Sequence, residues 1–215
     1  MDRNLGATSN TPNNVNTLGL LYQWGRKDPF PGAGSTTENI FRKIYNKDGA
    51  EISSPFIAST TDINTSVKNP LNFYSAFNGS SYNWLPQFNY LLWGSPDTMG
   101  YTKTIYDPCP EGWRVPAYKN NISPWEGVNI SNGGVWNNGF TWPGHGGYYP
   151  ATGHRGATSQ EIFDVGKVAF YHLSNHNSDF YSARMYIIFS TEDKQVIPFN
   201  VGHPARGFPT RCVRE

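Results

Sequence analysis

The chain has 215 residues and a formal net charge of +1, and its 17 Lys and Arg are scattered, so the basic stripe of a nucleic-acid binder is missing. No run approaches the roughly 18 consecutive apolar residues of a membrane-spanning helix, and the best, Tyr186 to Phe189, is strand-sized. Thirteen Phe, 13 Tyr and 7 Trp supply too much apolar area for a disordered chain, while 22 Gly, 16 Pro and 22 Asn predict that much of the fold is loop.

In chain order, Leu18 to Trp24 reads as a strand that ends at Gly25, where Pro29, Pro31 and Gly32 predict a surface loop. Asn69 followed by Pro70 has the form of a cap and first helical residue, and predicts a short helix that ends by Asn78-Gly79. Tyr82 to Trp93 is dense in aromatics but interrupted by Pro86, which predicts packed irregular structure. Ser131 to Gly156 holds eight glycines around Trp136, Trp142, Tyr148 and Tyr149, the composition of a long loop pinned by aromatic side chains. Ser182 to Ser190, a polar turn and Gln195 to Val201 predict a hairpin, and Phe208 to Val213 a further strand. No helix longer than about three turns and no internal repeat is evident, and residues 1–215 read as a single domain.

Two cysteines, Cys109 and Cys212, form either one disulfide or a pair of buried thiols. The Asn-, Tyr- and Trp-rich, charge-poor composition favours the bridge, worth roughly 4–5 kcal/mol for a closed loop of about 100 residues.

Several words in order carry a resemblance: Met1-Asp2-Arg3-Asn4-Leu5-Gly6-Ala7, Leu21-Tyr22-Gln23-Trp24-Gly25-Arg26-Lys27-Asp28-Pro29-Phe30, Leu91-Leu92-Trp93-Gly94, Lys103-Thr104-Ile105-Tyr106-Asp107-Pro108-Cys109-Pro110-Glu111-Gly112-Trp113-Arg114-Val115-Pro116 and Gly207-Phe208-Pro209-Thr210-Arg211-Cys212-Val213. Together they span almost the whole chain, which resembles the Bacteroidetes and Fibrobacter major paralogous domain family of fimbrillin-like tip pilins and surface lipoproteins. The resemblance implies an α+β, C-type-lectin-like fold: short mixed or antiparallel strands, few short helices and a large loop-rich half, with the chain ends together. A Cys109–Cys212 bridge suits that topology, because the terminal strand returns to the body. It further implies an extracellular or outer-membrane-surface location, with the export signal upstream of Met1 in a longer precursor. The implied role is a non-catalytic recognition or adhesion domain, whose partners are a glycan, a host or bacterial surface protein, or other pilins. The alternatives are a structural pilus-assembly module without a ligand of its own and, third, an enzyme related to the formylglycine-generating fold. Two departures stand out: Pro124 interrupts a segment that is helical in the family, and Tyr171-His172-Leu173-Ser174 lacks the family's Trp.

The candidate ligand-binding residues are Trp136, Trp142, His145, Tyr148, Tyr149 and His154, since aromatic faces with polar tips suit carbohydrate or protein surfaces. The plainer role for each ring is to anchor the loop. His172 and His176, near Asp179, have a metal-like spacing, but the surrounding Ser174-Asn175 and Asn177-Ser178 predict a loop, where that spacing does not align two ligands. The tripeptides of calcium-dependent lectins are missing, Ser95-Pro96-Asp97 being the nearest. Neither a metal nor a cofactor is expected. No Gly-x-Ser-x-Gly or His-Glu-x-x-His word points to catalysis.

Overall fold

A computed structural model of the chain describes residues 1–52, 55–89, 91–94, 102–118, 124–125, 135–142, 147–159, 161–178, 180–189 and 194–215. The described residues form a mostly β, loop-rich fold with one α-helix, Ile63–Lys68, and one 3-10 turn, Val15–Thr17.

A five-stranded antiparallel sheet ties distant parts of the chain together. Its order is Ile162–Phe163, His154–Arg155, Gly207–Pro209, Leu20–Gln23 and Pro29–Pro31. Leu21, Tyr22, Gln23 and Trp24 are all buried, so this strand is covered on both faces. Gln23 is tolerated there because its Nε2 donates to the carbonyls of Tyr74 and Ala205, each at 2.7 Å. The expected surface loop after Gly25 is instead the edge of this sheet: its prolines occupy an edge strand, where a missing N–H costs least, and Phe30 is buried. Arg26 is buried with it, paired with Asp28 at 2.7 Å and donating to Gln23 Oε1 and the Asn72 carbonyl.

The second sheet is a long antiparallel meander of Val168–His176, Ser182–Phe189 and Lys194–Gly202. The last two strands are the hairpin expected from sequence. The first corrects the loop expected around Ser174-Asn175: Ser174 N–H donates to the Pro116 carbonyl at 2.7 Å, and the Asn175 side chain brackets the Tyr118 backbone. Alternation splits the sheet's residues between two apolar faces. Ala169, Tyr171, Leu173, Ala183, Met185 and Ile187 face one core cluster. On the other face, Phe170 and His172 meet Phe208 of the first sheet, both at 5.1 Å between ring centres.

The stretch expected to be a long loop contains a third sheet, Val135–Trp136, Gly139–Trp142 and Gly147–Pro150. Its rings become strand residues because Phe140, Trp142 and Tyr149 share one apolar partner, the inner face of the long meander. Gly153, at φ +61°, then turns the chain; a Cβ there would lie 2.1 Å from the Phe163 carbonyl oxygen, so only glycine fits.

The helix lies just before its expected position. Asp62 caps it by accepting from Thr65 N–H at 2.9 Å, Asn69 is the C-cap, and Pro70 follows the end instead of opening a new helix. Residues 73–77 are extended instead, with Phe73–Tyr74 in parallel pairing to Phe56–Ile57. The run Phe208 to Val213 divides between two sheets, with Val213–Arg214 pairing Trp113–Arg114. Beside that pair, Cys109 and Cys212 are joined in a disulfide across 103 residues of sequence. Tyr22, Trp24, Trp84, Leu92, Trp93 and Val115 pack around the bridge in another core cluster. Leu5 N–H donates to the Thr210 carbonyl, so the two ends of the described chain lie together.

Candidate functional site

The predicted aromatic residues divide between two places. Trp142 and Tyr149 are buried and meet edge-on at 5.6 Å, with Trp125 Nε1 donating to Tyr149 Oη at 3.1 Å. With Arg211 they line a small cavity of about 220 Å³ beside Cys212. Arg211 is buried, lies over the Tyr149 ring at 3.9 Å and donates to the backbone oxygens of Asp2 and Tyr148. Tyr148 is also buried, and its hydroxyl is shared by the carbonyls of Asn137 and Asn138. Trp136 is half-buried against Phe140 and Phe189, with Lys194 above it. These rings therefore hold the meander onto the core. His145 lies outside the described residues, as do Asp179 and Asp97.

His154 stands elsewhere, in a cavity of about 330 Å³ whose lining shares no residue with the first. Its position follows from strand pairing. His154 faces Phe163 across the hairpin of His154–Arg155 and Ile162–Phe163, and the Arg155↔Gly207 pair brings Arg206 alongside that hairpin's turn. Gly156 N–H donates to the Glu161 carbonyl at 3.0 Å and closes the turn, which Ser75 Oγ ties to the body through the Ala157 carbonyl. Buried His154, Gly156, Ala157 and Phe170 form the floor, while half-buried Tyr82, Phe163, Asp164 and Arg206 and exposed Thr158 form the rim. Asp164 is held at φ +59°, a left-handed conformation that Asp adopts more readily than most residues.

The polar groups here are under-used. Among the described residues the Arg206 side chain makes no hydrogen bond, and its Nε is buried without a partner. His154 Nδ1 is likewise unpartnered, since Asp164 Oδ2 at 3.7 Å is beyond hydrogen-bond reach. Burial, reinforced by Arg206 and Arg184, pushes His154 down to about 3, so the ring is neutral at ordinary pH. Burial lowers Arg206 as well, with Asp164 acting the other way. Behind the floor, the Arg184 guanidinium lies 4.0 Å from the Phe170 ring centre, and burial brings it down to about 9.

A neutral histidine of so low a pKa is a poor general base near pH 7. A second contact, Ser81 Oγ to His203 Nδ1 at 3.1 Å, involves a serine with no exposed surface. Among the described residues no three His, Cys, Asp or Glu side chains converge as metal ligands. His172, one of the metal-spaced pair, is wholly buried and donates from Nε2 to the Tyr22 carbonyl at 2.8 Å. The cavity offers a guanidinium without a hydrogen bond among the described residues, a carboxylate, a neutral imidazole and aromatic walls, in a volume near the lower end of small-ligand sites.

Sequence reading found His154 but missed Arg206, Asp164, Tyr82 and Thr158. They come from three separated segments, and no spacing relates them. Compared with known protein families, curated proteins and solved structures, the chain has no match.

Proposed function

We propose that the chain is an extracytoplasmic, non-catalytic recognition domain that binds the terminal residue of a glycan in the cavity above His154. The observation that carries this reading is the Arg206 guanidinium, which among the described residues stands without a hydrogen-bond partner at a cavity that also presents a carboxylate and aromatic side chains. A sugar offers what these groups lack: vicinal hydroxyls for Asp164, acceptor oxygens for Arg206 and His154, and C–H faces for Phe163 and Tyr82. The disulfide supports a location outside the reducing cytoplasm. The short strands, loop-rich body and adjacent chain ends are compatible with a C-type-lectin-like architecture, and the family words support display on a pilus tip or surface lipoprotein.

Burial of Trp142, Tyr148 and Tyr149 favours a second reading for the meander face, that of a structural surface in pilus assembly with no ligand of its own. Glycan-array binding of the purified chain, with and without EDTA, tests the main reading. Specific binding that survives EDTA is expected. Absence of any bound glycan shifts the account to a protein partner or to the structural module.

A further inference from the structure

Resting on the glycan-recognition reading, we infer that the sugar taken by this cavity is acidic, with its carboxylate seated on Arg206 and its ring hydroxyls toward Asp164. A guanidinium presents a planar fork that matches a carboxylate in a bidentate pair, and such charge-assisted bonds are the strong ones. Among the described residues Arg206 is the one cationic side chain in the cavity lining, and its donors are uncommitted. Arg184 adds a second positive charge behind the Phe170 floor; its Nε and Nη2 are spent on the neutral Asn200 side chain, at 3.2 and 3.1 Å, and its Nη1 has no partner among the described residues.

Against these two cations stands one carboxylate, Asp164, whose side chain is 49% exposed and therefore screened by solvent. His154, neutral at ordinary pH, contributes no charge to the floor. Two guanidinium charges against one solvent-screened carboxylate leave the cavity net positive among the described residues. A neutral sugar leaves that charge uncompensated. A sugar acid compensates it at one end and still offers hydroxyls to Asp164 at the other.

Matched pairs test this: glucuronosyl against glucosyl, galacturonosyl against galactosyl, and sialyl-lactose against lactose, each titrated calorimetrically into the wild-type chain and into Arg206→Gln. At least one acidic member is expected to bind about tenfold or more tighter than its neutral partner, as a charged bidentate contact implies. Arg206→Gln is expected to erase that difference at an unchanged unfolding midpoint. Equal or better binding of the neutral members overturns the inference while glycan recognition stands. So does an acid preference that survives Arg206→Gln. Binding of none of the six probes overturns both.

Discussion

Three histidines sit where burial suppresses their charge. Burial pushes His172 and His154 down to about 3 and His203 to about 4, with Arg206 and Arg184 acting in the same direction on the last two. In the unfolded chain each protonates near 6.5, so the unfolded state binds more protons at every pH between those limits. The stability they contribute is full above about pH 6.5 and is lost as pH falls toward 4 and then 3. For wholly buried His172 the loss approaches about 1.4 kcal/mol per pH unit across that window. Thermal midpoints measured from pH 7.5 to 4 are expected to fall steadily below pH 6.5, and a flat profile contradicts the burial described. Asp107 is the other residue whose chemistry decides local structure. Wholly buried, it accepts from Lys103 Nζ at 2.7 Å, Cys109 N–H at 2.8 Å and Val115 N–H at 2.9 Å, and so shapes the Asp-Pro-Cys-Pro-Glu-Gly-Trp word. Asp107→Asn replaces one acceptor by a donor facing donors. Its expected cost is about 2–3 kcal/mol in urea unfolding, and an unchanged midpoint removes this role.

At the scale of elements, the Gly153 turn joins the third sheet's strand Gly147–Pro150 to the cavity hairpin of His154–Arg155 and Ile162–Phe163. Gly153→Ala combines positive φ with a backbone clash, and is expected to lower stability by about 2 kcal/mol or more in chemical denaturation. The elements legible in the sequence are those whose own residues carry the pattern, such as Leu20–Gln23 and the hairpin of Ser182–Phe189 with Lys194–Gly202. Those that were missed depend on partners that are distant in the chain. Val168–His176 is a strand although Ser174 and Asn175 read as loop, because Pro116 and Tyr118 satisfy them from another segment. The glycine-rich stretch forms strands because the long sheet offers its rings an apolar face. The same limit applies to the site. His154 is visible in the sequence as a loop histidine, but the guanidinium beside it is 52 positions away and enters only through the pairing of Arg155 with Gly207.

On the whole-molecule scale, one covalent link and one sheet close the chain on itself. The disulfide joins residues 103 apart, while the five-stranded sheet seats Leu20–Gln23 against Gly207–Pro209. Removing the link frees a long loop in the unfolded state, a change worth about 4.7 kcal/mol in a chain-entropy treatment. Cys109→Ser is therefore expected to lower the thermal midpoint by about 10–20 °C under oxidising conditions. An unchanged midpoint contradicts a structural bridge. Recognition in the cavity above His154, and not on the sheet of Val135–Trp136, Gly139–Trp142 and Gly147–Pro150, is decided by calorimetric titration of the strongest array glycan into wild type, Thr158→Trp, which fills the cavity's rim, and Trp136→Ala, which alters that sheet. Loss of binding in Thr158→Trp with retention in Trp136→Ala is the predicted result; retention in Thr158→Trp with loss in Trp136→Ala contradicts it.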